Sequence, residues 1–193
     1  MAFPTNKITE DFVRKLVSES KNPLNPLNMV FTYEHVSNIV QLNWNDMLFA
    51  IENNFLACQS AIEHALKIVQ ENENVPEEVW KLACMLQHEA EFTDVLQLVK
   101  RLATSQNNND YFESREKFLF LSLNWVYEHW DNFDNPIEVI DILCDDKDYP
   151  DEVKNLCSFM PSSVPGIYTS DSETKRLFDK LLQYLQTQRN RWV

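Results

Sequence analysis

The chain has 193 residues, 44% of them apolar and 12% aromatic, and a formal net charge of −13. That length suits one domain with a proper hydrophobic core, and large apolar residues interspersed among the charges exclude a disordered chain. So acidic a composition argues against sequence-independent nucleic-acid binding, which depends on neutralising phosphates with Lys and Arg; a charged partner should be basic.

A single glycine, Gly166, excludes the glycine-rich phosphate loop and the dinucleotide fingerprint, which need several glycines to bring backbone against phosphate. Turns fall instead to Asn, which enters the left-handed conformation more readily than other residues with side chains. Helix ends are therefore expected at Asn53 and Asn54, at Asn72 and Asn74, and at Asn107 to Asn109. No run approaches the roughly 18 apolar residues of a membrane span, and the opening residues lack a secretory signal, so the expected location is the cytoplasm.

In chain order, apolar spacing predicts helices over 7–20, 32–41, 44–54, 58–72, 76–87, 91–105, 113–130, 136–146, 150–158 and 171–190, and no strand. Asn22-Pro-Leu-Asn-Pro-Leu-Asn28 sets off residues 1–28 as a candidate N-terminal helical arm. The 113–130 helix leaves little polar surface on any side, with Phe118, Leu119, Phe120, Leu121, Leu123, Trp125, Val126, Tyr127 and Trp130, and so belongs in the interior. Alternation at Phe118, Phe120 and Ser122 hints at a strand, but the segment is too long for one. Pro76, Pro136 and Pro150 each have a glutamate two positions on, and suit the first helical position, where a missing N–H costs nothing. Ser170-Asp-Ser-Glu173 has capping-box spacing ahead of Leu177, Leu181 and Leu185. The expected fold is all-α: a single domain, 1–193, forming a compact array of antiparallel helical hairpins around a central hydrophobic helix.

Candidate chemistry is sparse. His35, His64, His88 and His129 each neighbour a carboxylate, but adjacent helical residues do not face each other, and no H-E-x-x-H occurs. Cys58, Cys84, Cys144 and Cys157 are spread out with no C-x-x-C, and read as reduced thiols buried on helices as small hydrophobes. No catalytic residue, cofactor or metal is expected; a metal-assisted hydrolase using Glu128, His129, Asp131 and Asp134 is the weakest reading.

The strongest constellation is electrostatic. Between Glu128 and Glu152 ten acids face one base, Lys147, so −9 of the chain's −13 lies in that tract. Glu138, Asp141 and Asp145 make a stripe on one face of a helix, with Ile140, Leu143 and Cys144 turned elsewhere. Asp141 and Asp145 form a like-charge i, i+4 pair, and acids crowd helix C-termini that favour cations, so helix stability alone does not explain them. Three readings stand: a solvated face, a divalent-cation site without the EF-hand spacing or its glycine, and a protein-binding surface. The last is favoured by interleaved aromatics and makes Glu128, Trp130, Asp131, Phe133, Asp134, Glu138, Asp141, Asp145, Asp146, Asp148 and Tyr149 the candidate partner-binding residues.

Leu123-Asn-Trp-Val-Tyr-Glu128, Asp134-Asn-Pro136, Asp148-Tyr-Pro150 and Phe159-Met-Pro161, with Leu42-Asn-Trp44 and Ala61-Ile-Glu-His-Ala65, resemble a bacterial domain family of unassigned function over about half the chain. Small acidic proteins of this sort are similar to the immunity proteins encoded beside polymorphic or contact-dependent inhibition toxins. The resemblance implies a non-catalytic protein that neutralises a cognate toxin domain, in particular a basic nuclease, with no direct contact to nucleic acid or membrane. An α-helical adaptor with a cellular protein partner is the alternative.

Overall fold

A computed structural model describes residues 7–85, 92–106, 111–145, 151–158 and 170–192. Its elements are α1 (Glu10–Glu19), α2 (Tyr33–Ser37), α3 (Trp44–Glu52), α4 (Ser60–Glu71), α5 (Glu77–Ala83), α6 (Phe92–Ser105), α7 (Tyr111–Glu128), a 3-10 turn (Trp130–Asn132), α8 (Pro136–Cys144), α9 (Asp151–Lys154) and α10 (Ser170–Trp192). The protein is all-α, and among the described residues the one β-type contact is an isolated parallel bridge between Ile8 and Phe133. No helix of the described residues is long and apolar enough to cross a membrane.

The chain divides into two compact units, one of Met29–Phe118 and one of Ala2–Asn28 with Leu119–Val193. In the first, α4 packs on α2 and α5, and α6 packs on α3 and α5. The spacing of Val95, Leu98, Val99, Leu102 and Ala103 gives α6 its buried face. α3 starts in a full capping box: the Asn43 side chain accepts from the Asp46 N–H, and the Asp46 carboxylate accepts from the Asn43 N–H. It stops at Asn53, followed by Asn54 at φ 58°, one of two non-glycine residues in the left-handed region among those described. That reversal turns Phe55 back toward Phe49 and Phe118, with ring centroids 6.1 and 5.1 Å away. Asn72 ends α4 differently, with extended backbone and its side-chain amide donating to the Ile68 carbonyl. Asn107 to Asn109 lie outside the described residues.

In the second unit, α1 does not stand apart as an arm. The Ile8 N–H donates to the Asn132 carbonyl at 2.7 Å, and the Asp134 N–H donates to the Ile8 carbonyl at 3.0 Å. Glu10 accepts from the Asn135 side chain, whose own oxygen caps α8 by accepting from the Glu138 N–H. Pro136 holds the first position of α8 as expected, whereas Pro76 is the N-cap of α5, one position earlier; Pro150 lies outside the described residues. α10 buries Leu177, Leu181, Tyr184, Leu185, Gln188 and Trp192, an i, i+4, i+7 pattern continued to its end. It begins at Ser170, so Ser170 is inside the helix and not its N-cap.

α7 runs through the division between the units, and Lys117 to Asn124 are all buried in succession. Within this 18-residue helix the middle is covered on every side, which matches its composition, whereas Tyr111, Phe112 and Glu128 at its ends are exposed. Its end comes two residues earlier than expected: the His129 ring nitrogen Nδ1 bonds the Trp125 carbonyl at 2.8 Å, and the chain passes into the 3-10 turn.

Candidate functional site

The exposed acids begin where α7 ends. Glu128 is exposed and accepts from the Asn124 side chain at 2.8 Å; Arg189 of α10 in turn donates to the Asn124 oxygen at 3.2 Å. Asp131, on the 3-10 turn, Asp134, just beyond it, and Asp145, at the end of α8, are all exposed, and none makes an ion pair among the described residues. Around them stand aromatic side chains of differing accessibility. Trp125 stacks on His129 with centroids 4.2 Å apart and meets Phe133 edge-on at 6.0 Å. Trp130 and Tyr127 both contact Phe178 of α10, and Trp130, Thr174, Lys175 and Phe178 line a shallow hollow of about 310 Å³.

Several expected partner-binding residues have structural work to do. Phe133 is 7% exposed, so it serves as a core residue of the α1–α8 junction and is not a surface anchor. Glu138 is half-buried in an ion pair with Arg14 at 3.0 Å, and Arg14 also binds Glu10. The Asp141 carboxylate accepts from both the backbone N–H and the hydroxyl of Ser158, the former at 2.6 Å, which fastens the turn after α9 to α8. Of the expected stripe, Glu138 and Asp141 are half-buried and Asp145 is exposed, whereas Ile140, Leu143 and Cys144 are buried. Two of its three carboxylates are committed to fold contacts that sequence spacing could not show. Asp146, Asp148 and Tyr149 lie outside the described residues. Replacing Asp141 by Ala should cost about 1–3 kcal/mol by leaving the Ser158 groups without their acceptor. Urea unfolding checks this; an unchanged midpoint would mean the contact contributes nothing.

The reading that joined Glu128, His129, Asp131 and Asp134 as metal ligands finds no support in their arrangement. His129 is turned onto the Trp125 carbonyl, and no three His, Cys, Asp or Glu side chains converge to hold an ion among the described residues.

Polar chemistry that sequence reasoning missed lies inside the first unit. Asp46 is fully buried and forms an ion pair with Lys117, itself 4% exposed. Ser114, one helical turn before Lys117 on α7, donates to the other Asp46 oxygen at 2.7 Å, and the Lys117 ammonium also donates to the Gln41 carbonyl at 3.1 Å. The Asn43-x-x-Asp46 capping-box spacing was the available signal; the lysine it meets came from 71 residues away. The Asp46, Ser114 and Lys117 side chains are buried, so the cluster joins the start of α3 to α7.

Nearby in the same unit, His64 is buried between Tyr33, whose hydroxyl meets Nδ1 at 3.0 Å, and Trp44, whose ring lies edge-on at 4.7 Å. Burial pushes Tyr33 up to about 12, and burial together with Lys67 pushes His64 down to about 4. Unfolded His64 titrates near 6.5 and folded His64 near 4, so the unfolded chain binds more protons between those values. Its contribution to stability is complete above pH 6.5, falls as pH is lowered through that window, and is fully lost below about 4. Urea midpoints across this range should show a slope that His64→Leu removes. An identical slope in the variant would assign the effect to other groups.

The four thiols divide in a way spacing did not reveal. Cys84 is exposed and Cys58 half-buried, both in turns, while Cys144, on α8, and Cys157, in the turn after α9, are buried close together.

Residues 33–189 match the family described as "Uncharacterized protein conserved in bacteria (DUF2247)". No curated protein matches the chain, and no solved structure does. The matched range holds both the Asp46 cluster and the acidic tract.

Proposed function

The chain belongs to this bacterial family, and we propose that it works without catalysis, by binding a basic protein through the exposed acids at and after the end of α7. The observation that supports this reading is the state of Asp131, Asp134 and Asp145: exposed, unpaired among the described residues, and part of a tract holding most of the net charge. Unneutralised carboxylates of one sign raise the encounter rate with a cationic surface and repel acidic competitors. The half-buried Trp130, with its hollow against Phe178, supplies the kind of aromatic contact around which such interfaces concentrate affinity.

The finer identity we propose is an immunity protein whose partner is a toxin domain with a basic nucleic-acid cleft, the carboxylates standing where phosphates would bind. Its support is the motif resemblance together with the acidity. The test is a pull-down of the purified protein with the product of the adjacent gene, followed by calorimetry at low and high salt. Nanomolar affinity that weakens with salt is the expected result. An absence of binding would remove the toxin reading.

An adaptor function is the second reading, favoured by exposed large apolar side chains in the first unit: Leu66 on α4, Trp80 on α5, and Tyr111 and Phe112 at the start of α7. Trp80 is 45% and Phe112 61% exposed, which leaves both open to a partner. Under that reading Trp80→Ala and Phe112→Ala abolish partner capture, and loss of surface carboxylates leaves it intact.

A further inference from the structure

Cys144 ends α8, and Cys157, 13 residues on, lies in the turn after α9; each is 2% exposed. The Cys157 thiol donates to the Cys144 carbonyl at 3.8 Å, which sets the two buried cysteines side by side. Asp141 clamps the same junction through its two bonds to Ser158, the residue after Cys157. The two cysteines thus lie side by side where the turn after the four-residue α9 is fastened to the end of α8. We propose that Cys144 and Cys157 are a dithiol–disulfide pair, a redox modification site that reversibly links the end of α8 to the turn after α9.

The chemistry balances with a small-molecule disulfide such as oxidised glutathione as oxidant. The Cys157 thiolate attacks one sulfur of the oxidant, forming a mixed disulfide and releasing one small thiolate. Cys144 then gives up its proton and attacks the Cys157 sulfur, releasing the second. Two protein S–H groups become one S–S bond, and the oxidant's S–S bond becomes two S–H groups. The order follows from the surroundings: the hydrogen bond from Cys144 holds Cys157 below the usual thiol range, against burial and the opposing charges of Asp141 and Asp145. The same bond, with burial, pushes Cys144 well above that range. We assign Cys157 as the attacking thiol and Cys144 as the resolving one. Because both sulfurs are covered, the oxidant must wait for the four-residue α9 to open, so the reaction is slow in the native protein and accelerates under conditions that loosen this segment. Once formed, the bond closes the segment bearing exposed Asp145 and Glu152, restraining part of the acidic tract.

The test uses the full chain with Cys58→Ser and Cys84→Ser, which leaves this pair alone. After incubation with oxidised glutathione, with and without mild urea, intact mass and thiol titration in denaturant are read. The expected result is a mass about 2 Da below the reduced protein, no remaining titratable thiol, a cross-linked 144–157 peptide, and reversal by a dithiol reductant. Adding Cys144→Ser to that background should trap a glutathione adduct on Cys157. Two free thiols persisting even in urea, or separate glutathione adducts on both cysteines with no cross-link, would overturn the proposal.

Discussion

Replacing Asp46 by Ala should cost about 3–5 kcal/mol of stability, a large share of what a domain of this size has. The carboxylate is fully buried and serves three donors: the Asn43 N–H that opens α3, the Ser114 hydroxyl and the Lys117 ammonium. Its removal takes the carboxylate partner away from the buried Lys117 ammonium, in surroundings where burying charge is expensive. Losing the cap alone would account for only about 1 kcal/mol, so the measured size separates the two effects. Urea unfolding reads it as a lower midpoint at unchanged slope. The second member of the test is the double variant Asp46→Ala, Lys117→Met, which removes both charges and should recover most of the loss. If the single variant loses less than about 1 kcal/mol, or the double variant is no better than the single, the pair is not what holds α3 to α7.

That pair also marks where sequence reading stopped. Helices were legible because their causes are local: the recurrence of Leu177, Leu181 and Leu185, the proline before Glu138, and the asparagines at 53, 54 and 72 act within a few residues of themselves. The all-round apolar character of α7 announced its burial for the same reason. What stayed hidden depends on pairs far apart in sequence. Glu138 looked like a surface acid until Arg14, 124 residues away, was found on it. Asp141 looked destabilising beside Asp145 until Ser158 supplied two donors. Phe133 followed a run of polar residues and resembled an exposed anchor, yet the bridge to Ile8 folds it inward. Period and composition tell which face of a helix is polar; they do not tell which polar groups on that face are already engaged.

This distinction decides how the proposed acidic surface should be probed. Reversing Glu138 or Asp141 would disturb the fold along with the surface, so weakened binding would be ambiguous. Asp131, Asp134 and Asp145 carry no such contacts through their side chains among the described residues, and changing all three to Lys moves the net charge from −13 to −7, two units for each. With the basic protein proposed as partner, association at low salt should slow by about tenfold to a hundredfold, because steering depends on the summed field of these carboxylates. Dissociation should change far less, and the gap between variant and parent should close as salt screens the field over about 10 Å and less. A matched unfolding curve for the triple variant shows that the fold is intact. Trp130→Ala supplies the contrasting arm: an anchor held against Phe178 should act chiefly on dissociation, making it faster at every salt concentration. Association that keeps its rate and its salt dependence in the triple variant would place the interface elsewhere, and the exposed Trp80 and Phe112 of the first unit would then be the surface to test.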